Sequence, residues 1–267
     1  MKNVMVVNHQ SKSKHGLEEF QTELKAQIEN SLRVGWKPED IIVIANFDFE
    51  FMGIKTTQFD LNKHCLTGSK MFAVSLIFKN NLAQEPIWAH DLDCWQTVWF
   101  DCPEFKDVGI STYSSSKYNG GSVFWKPSAL DIIEEVLSEI RDDKLQREEP
   151  TLNKILKENE YKDRVTALNN TMNVGCSGFV ERFNRAKEYG LKNNTYYPLV
   201  CHMHPGNRIA YDTHCRDRNR INEIAVPKKL HDIFIKYFED KIKRYTYQGE
   251  RGYDGDWNPP FAMRDTW

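Results

Sequence analysis

The stretch EPIWAHDLDCWQ, residues 85–96, carries an apolar run, Ile87-Trp88-Ala89, straight into His90-Asp91-Leu92-Asp93 and on to Cys94-Trp95-Gln96. Pro86 resets the chain, and the run behind it has the length and composition of a strand. Ionised carboxylates are costly to bury unless something positive compensates them. Two of them, one residue apart at the mouth of a strand, either face water at a turn or hold a cation. In an α/β sheet, ligands bind outside the carboxyl ends of the strands, and Asp91 and Asp93 stand at such an end.

The segments on either side support an α/β sheet. VMVVN (4–8) is an apolar run of strand length, and LEEFQTELKAQIENSLRVG then repeats Leu17, Phe20, Leu24 and Ile28 at helical spacing up to Gly35. IIVIANF (41–47) is a second apolar strand, so strand, helix and strand form a βαβ-type unit with parallel pairing. LTGSKMFAVSLIFKNNL reads as a helix with Thr67 and Ser69 as caps. Beyond the Asp pair, WQTVWFD and DVGISTYS read as strands, YNGGSVFWKP (118–127) as a glycine turn, and SALDIIEEVLSEIRDD as an amphipathic helix capped by Ser128. EEPTLNKILKE is a short helix with Pro150 at its start, LVCHMHP (199–205) a strand ending in two histidines, and KKLHDIFIKYFEDKIKRY a helix. The pattern predicts a parallel first half and a mixed second half. It places one domain over residues 1–225, with a C-terminal helix and irregular arm over 226–267 packing on it.

Composition narrows the class. With 40% hydrophobic residues and seven Trp in 267, the chain folds around a substantial core. A net charge of −2 with interspersed signs excludes a nucleic-acid coat but not a local basic groove. Six cysteines without a CxxC pair point to reduced thiols in a cytosol-like compartment. The start, MKNVMVVNHQ, has no secretory pattern, and no window approaches the roughly 18 apolar residues of a membrane span. The expected location is cytoplasmic.

Carboxylate oxygens are hard ligands suited to Mg²⁺ and Mn²⁺, which bind through few protein groups and the phosphate oxygens of a substrate. An Asp-x-Asp at a strand end therefore suits a cation that bridges a diphosphate. The order of parts now becomes informative: strand–helix–strand, TGSKMFAVSLIF, IWAHDLD, YNGGSVFWKPSALDIIEEV, EEPTLNKIL and HMHPGNR. This order resembles the GT-A-fold glycosyltransferases that use nucleotide sugars, above all the compact type encoded by phages and large viruses. The resemblance covers roughly residues 1–210. It implies a GT-A-like fold with a Rossmann-like nucleotide-binding half, a DxD motif, Mn²⁺ or Mg²⁺ as cofactor, and a nucleoside-diphosphate sugar as donor, a UDP-sugar first among them.

By the same resemblance Asp93 is the direct metal ligand, Asp91 contacts ribose or metal, and a late histidine, His202 or His204, completes the metal shell. Gly120 and Gly121, with Asn119 before them, pass close to the donor sugar, where the lack of a side chain permits backbone approach. An acidic residue near the acceptor falls at Glu148-Glu149, with Glu149 preferred as general base. Asn8, Asn46 and Asp48 at the first strand ends, and Lys70 at a helix start, are nucleotide candidates. Inverting and retaining chemistry both stay open.

The phage-type resemblance implies one specific acceptor, a hydroxymethylated pyrimidine in DNA in the host cytoplasm. Arg208, Arg216, Arg218, Arg220, Lys228, Lys229, Lys241, Lys243 and Arg244 are then phosphate contacts. A glycan or polysaccharide precursor is the alternative acceptor. A different class, a metal-dependent phosphoesterase, would use His90, Asp91, Asp93, His202, His204 and His214, although its usual Asp-x-His on the first strand is missing. A binding module without turnover is the third reading.

Overall fold

The computed structural model describes the chain except for residues 11–15, 64–67, 115–116, 141–147, 176–178, 195–196, 203–224, 239–245 and 248–267. In chain order the elements are β1 (Lys2–Val7), α1 (Leu17–Val34), β2 (Ile41–Ala45), β3 (Glu50–Phe51), β4 (Ile54–Gln58), α2 (Ser69–Lys79) and β5 (Ile87–His90). There follow β6 (Cys94–Gln96), β7 (Val108–Ser114), β8 (Lys117–Trp125), α3 (Leu130–Glu139), α4 (Glu148–Ile155) and β9 (Val165–Leu168). The last third carries β10 (Val174–Gly175), α5 (Phe179–Asn193), β11 (Val200–His202) and α6 (Lys228–Phe238). Two compact units emerge, the first from residues 1–28, 36–92 and 101–168, the second from 29–35, 93–100 and 169–267.

The first unit is built on an eight-stranded sheet in the order β3-β4-β2-β1-β5-β8-β7-β9. β1 pairs parallel with β2 and β5, and β2 with β4. β8 runs antiparallel to both β5 and β7, so the sheet is parallel on one side and mixed on the other. The central strands are near-continuous apolar runs because both faces are covered. On one face α2 packs on α3, and Met71, Val74, Ile77, Ile132, Ile133 and Val136 join Val4, Ile44 and Ile87 in one core. Trp88 anchors the other face. Its ring stacks on Trp36 and Phe124, and its Nε1 donates to Ser122 Oγ (2.9 Å), so the indole is buried without an orphaned N–H.

Several local expectations need correction. Gly120 and Gly121 lie inside β8 and form no turn; register shifts in the β7–β8 pairing absorb the irregularity near the strand's start. The cap of α2 is Gly68, and Ser69 is a buried first-turn residue that accepts from Asn8; Thr67 lies outside the described residues. Ser128 sits in a 3-10 turn before α3 and donates to Asp107 Oδ1 (2.6 Å), because Asp107 and Asp131 are already drawn together by Arg164. Only Cys94–Gln96 of WQTVWFD and the residue before it is strand.

Gly109 of β7 fills a place where no side chain fits. A Cβ there would come to 3.0 Å from Phe105 Cγ and 3.2 Å from Leu168 Cδ1. Gly109→Ala should destabilise the fold by about 1–3 kcal/mol through this overpacking. A thermal melt that shows no downward shift would contradict it.

The second unit holds a three-stranded sheet, β10-β11-β6, with β11 parallel to β10 and antiparallel to β6. Trp95 meets Phe234 of α6 edge-on, with ring centroids 4.8 Å apart, and also contacts Phe238. Glu29, near the end of α1, is buried and accepts from Arg33 Nη2 (2.6 Å), Lys236 Nζ (2.7 Å) and Tyr237 Oη (2.6 Å). Charge-assisted bonds of this kind compensate its loss of water. No described helix is long and apolar enough to cross a membrane.

Candidate functional site

In the first unit the carboxyl ends of β1 and β5 meet the start of α2. Asn8, just past β1, donates through Nδ2 to Ser69 Oγ (2.8 Å) and to Leu61 O (3.4 Å). One residue on, Lys70 extends its ammonium to Asp91 Oδ1 (2.6 Å), Gly120 O (2.7 Å) and Glu148 Oε1 (3.2 Å). Asp91 is fixed further by its N–H, which donates to Gly121 O (2.9 Å). Asn119, fully buried, accepts the Gly121 N–H on Oδ1 (2.7 Å), and Glu149 accepts that of Gly120 on Oε2 (3.2 Å). The structure therefore brings together Lys70, Asp91, Asn119, Gly120, Gly121, Glu148 and Glu149 from distant stretches of chain.

Electrostatics single out Glu148. Its side chain is only 13% exposed, and burial pushes its carboxyl up to about 7. The Lys70 ammonium opposes that shift, while Asp91 and Glu149 reinforce it. Among the described residues Lys70 pairs with two of these three carboxylates, Asp91 and Glu148, and three carboxylates this close cannot all ionise cheaply. A carboxyl that titrates near neutrality can both take and give a proton at working pH.

The remaining first-unit candidates make contacts of their own. Asn46 clamps the backbone of His9, accepting its N–H (2.8 Å) and donating to its C=O (2.7 Å). Asp48 accepts from Gln58 Nε2 (3.5 Å) and is exposed. His90 is buried, stacked on Trp88 at 4.1 Å, with Nε2 against Asn3 Oδ1 (2.8 Å) and Nδ1 against Asp91 O (2.9 Å). Both of its ring nitrogens are engaged by these groups, away from the metal role that the phosphoesterase reading needs.

In the second unit Asp93 and His202 come together, with Asp93 Oδ1 3.4 Å from His202 Nε2. Asp93 is 5% exposed, and Cys94 beside it is fully buried. Burial alone would lower the His202 pKa, but the Cys94 thiol and the Asp93 carboxylate outweigh it and hold the imidazole well above its usual value. Ligand atoms of Asp93, Cys94 and His202 lie within 4.8 Å of one another. Carboxylate oxygen, imidazole nitrogen and sulfur at this spacing fit a divalent cation. Cys94 is not singled out by the sequence, although its place directly after the Asp pair is the available signal. His204 and His214 lie outside the described residues, as do Arg208, Arg216, Arg218, Arg220, Lys241, Lys243 and Arg244. Lys228 is paired with Asp232 on α6 (2.9 Å).

No protein family matches this chain by sequence, and no curated protein does. Solved structures do match. The galactosyltransferase LgtC, in complex with donor and acceptor sugar analogs, aligns over 100% of both chains with a TM-score of 0.53 at 11% identity. The bifunctional glycosyltransferase WbbM aligns with a TM-score of 0.52 at 12% identity, covering 88% of this chain and 49% of that one. A glycosyltransferase involved in glycosylation of the major capsid of PBCV-1 aligns over 80% of this chain and 99% of its own, at 15% identity and a TM-score of 0.46. The chain has a GT-A-like fold, with the large mixed sheet that the resemblance in its sequence implied.

Proposed function

We propose that this chain is a divalent-metal-dependent glycosyltransferase that moves a sugar from a nucleoside-diphosphate sugar, a UDP-sugar first, to a hydroxyl of a carbohydrate acceptor. One observation carries the reading: on a fold found in sugar transferases, the last carboxylate of Asp91-Leu92-Asp93 is set 3.4 Å from an imidazole of a distant strand. Asp93 and His202 would hold the divalent cation, Mn²⁺ before Mg²⁺. Once bound, the ion would neutralise charge that develops on the departing nucleoside diphosphate.

The protein's own groups supply the rest. Lys70 ties Asp91 to the Gly120 carbonyl, so the carboxylate at the end of β5 is oriented before a donor arrives. Asn119 and Glu149 hold the Gly120-Gly121 backbone from the other side, and a Cβ at Gly120 would already reach to 3.6 Å from the Glu148 carboxyl. Glu148 takes the proton of the acceptor hydroxyl. The sequence favoured Glu149 for this part, but Glu149 is bound to the Gly120 N–H, whereas Glu148 titrates where a base must. A carbohydrate hydroxyl is preferred over a modified DNA base because LgtC was captured with acceptor sugar analogs.

The test is a panel of nucleoside-diphosphate sugars offered to the chelator-treated chain, with and without Mn²⁺. Several kcal/mol of charge stabilisation predicts at least about 100-fold more nucleoside diphosphate released with metal. Release that ignores chelation removes the metal from the scheme. Phosphate freed from simple esters, with no nucleotide sugar consumed, favours the phosphoesterase instead.

A further inference from the structure

The buried thiol of Cys94 has no part in the scheme above. We infer that Cys94 is a third protein ligand of the Asp93–His202 cation site, which therefore takes borderline ions such as Zn²⁺ and Co²⁺ in preference to Mg²⁺, with sulfur in the shell. This rests on the reading of Asp93 and His202 as cation ligands.

Register carries the first part of the argument. His202 lies opposite Cys94 across the antiparallel β11–β6 pair, so both side chains rise from one face of the sheet, their Cβ atoms about 4.5–5.5 Å apart. On its other side His202 is paired with Gly175, which has no side chain to project beside the imidazole. Cys201, the preceding residue of β11, is turned to the opposite face by strand alternation and takes no part.

Distance carries the second. Tetrahedral zinc, with bonds of about 2.0–2.3 Å, needs its ligand atoms about 3.4–3.8 Å apart. The three donors already lie within 4.8 Å of one another, so small rotations close them on an ion. Three protein ligands leave a fourth position open for substrate oxygen, as in catalytic zinc sites.

Donor chemistry carries the third. A thiolate contributes little to Mg²⁺, which prefers oxygen, and much to Zn²⁺ and Co²⁺. On binding, the Cys94 S–H bond breaks, a sulfur–metal bond forms, and the proton leaves to solvent. Two anionic ligands and a neutral imidazole then balance a divalent charge at a site where Asp93 and Cys94 are buried.

Cobalt reads the sulfur directly. Titrating the reduced chain with Co²⁺ should produce a thiolate-to-cobalt charge-transfer band in the near ultraviolet that saturates at one equivalent. Cys94→Ser and His202→Ala should each remove it, Cys201→Ser should keep it, and Zn²⁺ but not excess Mg²⁺ should displace the cobalt. Calorimetry should show Cys94→Ser weakening Co²⁺ by at least about tenfold, since even the loss of a ligand's supporting partner costs that much. Should Cys94→Ser fail to fold, zinc-edge X-ray absorption of the unaltered chain gives the answer: one sulfur at about 2.3 Å is expected, and a shell of nitrogen and oxygen alone overturns the inference. A band that survives Cys94→Ser overturns it as well. Sulfur-bound cobalt with no turnover of any nucleotide sugar refutes the transferase and keeps the ligand; Mn²⁺-dependent turnover with a sulfur-free cobalt spectrum does the reverse.

Discussion

Asparagine in place of Asp93 should lower metal-dependent turnover of the nucleotide sugar by about 10²–10³-fold, the scale seen when one preorganised electrostatic group is lost. The amide keeps the shape of the side chain but not its charge, so a cation would lose its anionic anchor while the fold keeps its packing. Asp93 is 5% exposed and adjoins His202, whose imidazole it helps to hold well above the ordinary value. The same substitution should therefore lower the His202 pKa, a change visible in the ring resonances on NMR titration without metal. Retention of more than about a tenth of the turnover would place the cation elsewhere.

Glu148→Gln should pull stability and activity in opposite directions. The wild-type carboxyl is raised from 4.5 to about 7, chiefly by burial. A raised acid stabilises the folded state fully below its unfolded pKa, and that contribution is lost as pH rises through the folded one. The gap of about 2.5 units, at about 1.4 kcal/mol each, amounts to about 3 kcal/mol forfeited by pH 8. Glutamine is never charged, so the variant should exceed the wild type by up to that amount at pH 8 and match it near pH 4.5. The difference between the two proteins carries the test, since Asp131, held below its ordinary value by Arg164, destabilises both as pH falls. If Glu148 is the base, turnover should fall by about 10²–10⁴-fold in the same variant. A variant less stable than wild type at pH 8 would show that the ionised carboxylate is welcome where it sits, and the proton-transfer role would go with it.

Much of the first unit was legible in the sequence because buried parallel strands announce themselves. Val4–Val7, Ile41–Ala45 and Ile87–Ala89 are apolar runs with nowhere to go but the middle of a sheet. β4 carries no such signal, since Ile54–Gln58 is mostly polar and partly exposed. Glycine misled at 120–121, because a Gly pair in an isolated sequence is cheapest in a turn, and only the pairing of β8 with its neighbours on either side of the glycines carries them along the strand. The site divides the same way. The strand-end position of Asp91 and Asp93 was readable from the run before them, whereas the Lys70–Asp91–Glu148 contact joins three distant stretches and exists only once the chain has folded. Cys94 was invisible for a related reason: a lone cysteine means little until a register sets it across from an imidazole.

The Glu29 cluster bears on any attempt to shorten this chain. Of its donors among the described residues, Lys236 and Tyr237 belong to α6, near the last described helical residue, Phe238. A version cut before that helix would leave the buried Glu29 carboxylate with Arg33 as its partner among the described residues and strip the aromatic cover from Trp95. Degradation machinery in a cell finds such defects, so trimming has to begin beyond Phe238.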